Sequence, residues 1–148
     1  MTILYEDIFA TALAHHQREA ENECLYKAQE AAKVVKGLSS AQLNGLVTLA
    51  IHTDNVDKID AELKKRNDKR WKTDQSPGPF PGAFQPDIAD LKQLAREVIE
   101  MTENDLNDLF QVQGAGAPTS GRNWLAELHL YLTRRYLTAV VDFARASK

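Results

Sequence analysis

Apolar residues at helical spacing are the feature of this sequence that most constrains its fold. The long segments place apolar side chains three or four positions apart, and β-branched runs with strict alternation do not occur. Such spacing puts the apolar side chains on one side of an α-helix, whereas a half-buried strand needs a period of two. The sequence therefore predicts an all-α fold, a bundle of four to five helices.

Length and composition predict a single helical domain, residues 1–148. A chain of 148 residues can bury a sizeable core, and no apolar run approaches the ~20 residues of a membrane-spanning helix. Glu6 and Asp7 stand where a secretory signal carries cations. Cys24 is the one cysteine, which excludes an internal disulfide and favours a reducing compartment. We therefore expect a cytoplasmic protein with no membrane partner, in which Cys24 is a buried apolar residue rather than a nucleophile.

Start and stop signals define the first two predicted helices. The first helix covers residues 3–36, and Gly37 is placed to end it. Ser39 and Gln42 have the spacing of a capping box, in which each side chain bonds the backbone of the other residue. They predict that a second helix begins here and ends near residue 52.

The third predicted helix begins at Asp54 or Asn55 and continues to about residue 71. Its apolar side chains lie on one face, which is formed by Val56, Ile59 and Leu63. The same spacing then reaches Arg66 and Arg70, which are cations. The second half of this helix therefore has no face for the core, and we expect it to project outward.

Loops rich in proline and glycine divide the second half of the chain. Residues 73–86 contain four prolines and two glycines in fourteen positions, so they predict a loop. The helix that follows is expected to break or kink near Asn104, before a second loop at 114–121. The last helix, residues 122–146, is apolar over most of its circumference, which predicts that it is the central helix or is buried against a partner chain.

Charge is sorted along the chain into blocks. Residues 1–63 carry a net charge of −5, residues 64–72 carry +5, residues 73–118 carry −6 and residues 119–148 carry +3. The positive block, KKRNDKRWK, holds six cations and one tryptophan in a chain whose total charge is −3. A concentrated positive field attracts polyanions whatever the overall charge is. The block is therefore the candidate binding site.

The polyanion that we expect at this site is the phosphate backbone of RNA. Trp71 adds a ring on which a base can stack, and two arginines of the last helix extend the positive surface. The predicted nucleic-acid-binding residues are Lys64, Lys65, Arg66, Lys69, Arg70, Trp71, Lys72, Arg134 and Arg135. Two alternatives remain open. The block can be only a solvated helix end, since the helix dipole also favours cations near a C-terminus. An acidic protein would also bind the same surface. No helix-turn-helix, zinc-ligand or aromatic sheet motif predicts base-specific recognition.

Signals for catalysis are weak. His15, His16 and Glu19 share one helix, but a di-iron bundle needs Glu-x-x-His on two helices, and here the order is reversed and no second motif exists. The segment 114–121 lacks the lysine and the preceding strand of a phosphate-binding loop. No serine or cysteine nucleophile motif occurs. The sequence therefore predicts a protein that is not an enzyme and uses no cofactor or metal ion.

One short segment resembles a known family. The segment KGLSSAQL contains Leu38, Ser39, Ser40, Gln42 and Leu43. This pattern is similar to the Leu-Ser/Thr-Ser/Thr-x-Gln/Lys-Leu motif that opens a helix in the small helical subunit of type III CRISPR effector complexes. A charged amphipathic helix and a closing aromatic helix of that family resemble residues 57–71 and 125–145. The chain differs from the family at Asn44, where an arginine is usual, in having no Gly-Arg-Glu segment, and in the loop 73–86.

The resemblance implies a structural subunit with no chemistry of its own. Several copies would stack along the inner face of a ribonucleoprotein and brace a guide–target duplex or single strand through backbone contacts. Its partners would be the RNA backbone, other protein subunits and further copies of itself. Two other classes remain open: a helical adaptor or immunity-type protein whose acidic blocks bind a basic partner, and a metal-dependent helical enzyme using His15, His16 and nearby glutamates.

Overall fold

Five α-helices form the described part of the protein. A computed structural model describes residues 5–35, 37–67, 84–110, 118 and 122–146, and these residues contain no strand. The helices are α1 (Tyr5–Val35), α2 (Ser40–His52), α3 (Val56–Asn67), α4 (Phe84–Phe110) and α5 (Trp124–Ala146). The predicted all-α fold of four to five helices is therefore confirmed.

The turn between α1 and α2 forms where the sequence predicts it. The Leu38 N–H donates to the Val35 carbonyl at 3.0 Å, and the Leu38 side chain is fully buried. The Ser39 N–H donates to Gln42 Oε1 at 2.9 Å, and the Gln42 N–H donates to Ser39 Oγ at 3.2 Å. This reciprocal pair satisfies two donors that the first turn of a helix leaves free, so the predicted capping box is confirmed.

Helix α4 differs from its prediction at its start and in its middle. Phe84 is fully buried as the first residue of α4, and its ring lies 6.2 Å from that of Tyr136. Residues 84–86 are thus helical, and the predicted loop 73–86 extends too far; its remainder lies outside the described residues. Pro86 has no backbone N–H. It fits the first turn of α4, because N–H groups in the first turn of a helix have no acceptor within the helix. Helix α4 also continues through Asn104, so the predicted break there is wrong.

Helix α5 is the centre of the bundle. It packs against each of the other four helices, and its buried residues cover more than one stripe. Leu128, Leu132 and Val140 are among them. The prediction of a central last helix is confirmed, and its physical reason is that a helix surrounded by neighbours needs apolar side chains on most of its surface.

Cys24 lies in this core as expected. Its Sγ donates to the Leu132 carbonyl at 3.1 Å. Burial is the main reason that the pKa of the Cys24 thiol is raised to about 12. A thiol with so high a pKa is not a nucleophile at neutral pH, because only the thiolate reacts. Cys24 is therefore a packing residue that links α1 to α5.

Candidate nucleic-acid interface

Helix α3 positions the first cations of the positive block. Its N-terminus is capped by Asn55, whose Oδ1 accepts from the Lys58 N–H at 3.0 Å. Ile59 and Leu63 are fully buried at i and i+4 and fix the inward face of the helix. Helix α3 packs through this face against α5. The residues directly after Leu63 therefore lie off the buried stripe.

Lys64 and Lys65 are both exposed in the last turns of α3. Lys64 Nζ lies 3.2 Å from Asp60 Oδ2, four residues earlier on the helix surface. An exposed ion pair of this kind contributes less than about 1 kcal/mol, so a phosphate can displace it. The helical backbone continues through Arg66 to Asn67. The Arg66 side chain and all of Lys69, Arg70, Trp71 and Lys72 lie outside the described residues, so their predicted role stays a prediction.

The two predicted arginines of α5 have different surroundings. Arg134 donates from Nε to the Ala50 carbonyl at 2.9 Å and from Nη2 to the Thr53 carbonyl at 2.8 Å. These carbonyls end α2, where a helix leaves acceptors free, so Arg134 holds the end of α2 against α5. Arg135 is exposed. Burial raises the pKa of the Cys24 thiol, and the positive charge of Arg135 opposes this shift.

The described contacts do not connect either arginine to the lysine pair. Arg134 contacts the turn before α3, whereas Lys64 lies eight residues after the first residue of that helix. At the helical rise per residue this is about 12 Å along the axis. The arginine bonds join residues more than eighty positions apart in the chain, so no pattern in the sequence predicts them.

An acidic groove between α1 and α4 was not predicted from the sequence. It has a volume of about 520 Å³, and the described residues that line it include four carboxylates and one lysine. Lys27 Nζ lies 3.2 Å from Asp90 Oδ2, and His16 Nε2 lies 2.5 Å from Asp105 Oδ2 at one end. The charged residues that line the groove are Glu19, Glu23, Lys27, Asp90 and Glu97. The sequence shows each acidic helix but not how the two helices align.

Two other features are absent from the described residues, a metal site and a membrane-spanning helix. In the part of the chain that the structure describes, no three His, Cys, Asp or Glu side chains are grouped so that they could hold a metal ion. His15 and His16 lie edge to face with ring centroids 5.5 Å apart. Among these same residues, no helix has both the length and the apolar character needed to cross a bilayer.

Comparison with known proteins adds no relative. The chain matches no protein-family model, no curated protein sequence and no solved structure. The resemblance of residues 36–43 to a CRISPR subunit therefore stays a prediction.

Proposed function

We propose that this protein is a non-catalytic subunit of a multi-subunit ribonucleoprotein and binds the RNA backbone through the positive block 64–72. The observation that carries the proposal is the exposure of Lys64 and Lys65 at the end of α3, while Ile59 and Leu63 fix the opposite face in the core. A rigid helix that presents cations to solvent suits a phosphate backbone, which is recognised by charge rather than by sequence. The role resembles that of the small subunit of type III CRISPR effectors.

Several copies along one RNA strand are part of this proposal. One block of six cations neutralises few phosphates, so a single copy binds weakly at physiological salt. In an assembly that holds the copies side by side, the first copy to bind the RNA makes the binding of the other copies intramolecular. This raises the overall affinity although each copy makes the same contacts as before. The RNA is a single strand or a guide–target duplex, and the other partners are protein subunits and further copies of this chain.

Neutralising the block tests the proposal. Lys64, Lys65, Arg66, Lys69 and Arg70 are changed to Gln, and the variant is purified with its native assembly. We expect less RNA to copurify with the variant than with the wild type. In direct titrations with single-stranded RNA, the magnitude of the slope of log affinity against log salt should decrease by roughly 3.5, because each of the five lost contacts contributes about 0.7 to it.

A matched variant controls for net charge. Arg18, Lys33, Lys58, Lys92 and Arg96 are exposed cations outside the block, and changing them to Gln alters the net charge by the same amount. This control should retain its RNA and its salt slope. If the block variant keeps full RNA occupancy and assembles normally, the block is only a solvated helix end and the proposal is wrong.

A protein adaptor is the second candidate function, and the acidic groove between α1 and α4 favours it. Four carboxylates face one lysine there, so a basic segment of a partner protein would find complementary charge. Changing Glu19, Glu23 and Glu97 to Gln separates the two functions. An adaptor loses its protein partner in this groove variant and keeps it in the block variant. An RNA-binding subunit keeps its RNA in the groove variant and loses it in the block variant.

A further inference from the structure

A cleft lies where the starts of α3 and α5 meet α4. Its volume is about 470 Å³, which falls within the ~300–1,000 Å³ typical of small-ligand pockets. Its walls come from residues 54–57, from Lys92 on α4 and from residues 123–130. The cleft therefore combines three separate elements, and neither Lys64 nor Lys65 is part of its described lining.

His129 is the most informative residue of this cleft. It lines the cleft although the residue is only 8% exposed, and its Nε2 lies 2.8 Å from the Ile88 carbonyl. A carbonyl oxygen can only accept, so Nε2 carries a proton and donates it to this bond. Burial lowers the pKa of His129, which keeps the ring neutral at pH 7. A neutral ring with a proton on Nε2 has a free lone pair on Nδ1.

Three groups around the cleft have no partner within the described residues. His129 Nδ1 has none, and neither Asp57 nor Lys92 makes a hydrogen bond or an ion pair there, although both act electrostatically on His129. The other two carboxylates of the lining are paired, Asp54 with Lys58 at 3.3 Å and Glu127 with Arg122 at 2.8 Å. The side-chain oxygens of Asn55 and Asn123 accept from backbone N–H groups. The cleft thus offers one neutral acceptor, one carboxylate and one ammonium group.

We propose that this cleft binds a small zwitterion of the α-amino acid class with an apolar side chain. The ligand's ammonium group donates to His129 Nδ1 and to Asp57, and its carboxylate pairs with Lys92. This arrangement leaves no charge of the ligand uncompensated, which a partly buried site requires. The side chain of the ligand packs on the apolar part of the lining, which consists of Val56, Leu125, Ala126 and Leu130. The inference is independent of RNA binding.

Titration of the full chain with free amino acids tests this proposal. The probes are leucine, methionine and phenylalanine, and amide resonances of residues 54–57 and 123–130 report binding. N-acetyl-leucine lacks the ammonium group and leucinamide lacks the carboxylate, so each should bind at least about 10-fold more weakly than leucine. If none of the three probes shifts these resonances, or if the blocked compounds bind as well as leucine, the proposal fails.

Variants of the three free groups give a second test. Asp57→Asn and Lys92→Gln change exposed side chains, so they leave the fold intact, and each should weaken leucine binding about 10-fold. His129→Gln keeps an N–H donor for the Ile88 carbonyl and removes Nδ1, and it should weaken binding in the same way. Glu100→Gln and Lys33→Gln are controls, because both residues are exposed and neither lines the cleft. Unchanged binding by the Asp57 and Lys92 variants would overturn the assignment.

Discussion

Two buried threonines show how much a polar atom depends on its partner. Thr102 and Thr133 are both fully buried within helices. Thr102 Oγ1 donates to the Val98 carbonyl at 2.8 Å, whereas Thr133 Oγ1 has no hydrogen-bond partner among the described residues. A hydroxyl that loses water without gaining a bond costs about 1–3 kcal/mol. Thr133 is therefore a weak point of the core.

We predict that Thr133→Val stabilises the protein. Valine has nearly the shape of threonine and needs no partner, so the free energy of unfolding should rise by about 1 kcal/mol in urea melts. Thr102→Val is the matched control, since it removes a hydroxyl that is already satisfied, and it should give no gain. A loss of stability in the Thr133 variant would mean that its hydroxyl has a partner in solution.

His129 gives the stability a predictable pH dependence. Burial lowers its pKa in the folded state below the value of 6.5 that it has when unfolded. Between the two pKa values the unfolded chain binds more protons than the folded protein does. The contribution of neutral His129 to stability is therefore fully present above pH 6.5 and decreases as the pH falls through that window. Urea melts at pH 7.5 and 5.5 should show this decrease. The His129→Gln variant should show a smaller one, and an equal decrease in both proteins would contradict the prediction.

At the scale of elements, Arg134 connects α5 to the end of α2. Its two bonds to the Ala50 and Thr53 carbonyls satisfy acceptors that the end of α2 leaves free. Both bonds involve a charged donor, and each such bond is worth about 1.5–3 kcal/mol. Because Arg134 is half-buried, its loss also removes packing of its aliphatic stem.

We therefore predict different effects for two neighbouring arginines. Arg134→Met should lower the free energy of unfolding by about 3 kcal/mol or more, because two carbonyls each lose a charged donor. Arg135→Met should change it by less than about 0.5 kcal/mol, because Arg135 is exposed. Equal losses in denaturant melts would show that Arg134 does not hold α2.

The helices show which features the sequence predicts and which it does not. The capping box of Ser39 and Gln42 was predictable because its atoms lie within three residues. The exposure of the end of α4 was not predictable, because Leu109 continues the apolar spacing of this helix and yet is 68% exposed. Periodicity identifies the face of a helix, but it does not show where the neighbouring helix stops covering that face.

The candidate sites follow the same distinction. The exposure of Lys64 and Lys65 was predictable, because the apolar stripe of α3 ends at Leu63. The bond between His129 and the Ile88 carbonyl joins residues 41 positions apart, and the cleft beside it depends on how α3, α4 and α5 are arranged. Such geometry comes from packing between helices, which a single sequence does not record.

At the scale of the whole molecule, α5 joins the parts of the bundle. The first helix and the last helix pack against each other, and α2, α3 and α4 each contact α5 as well. Contacts that link distant parts of a chain make unfolding cooperative, since one element cannot leave without exposing the others. Substitutions in the middle of α5 should therefore affect the whole fold rather than one helix.

Leu132→Ala tests this central role of α5. Leu132 is fully buried, so its truncation leaves a cavity and should lower the free energy of unfolding by about 2–5 kcal/mol. Leu109→Ala makes the same chemical change at an exposed site of α4 and should cost less than about 0.5 kcal/mol. If unfolding is cooperative, circular dichroism and tryptophan fluorescence give the same urea midpoint for the Leu132 variant. A loss well below 1 kcal/mol would show that the core does not depend on α5.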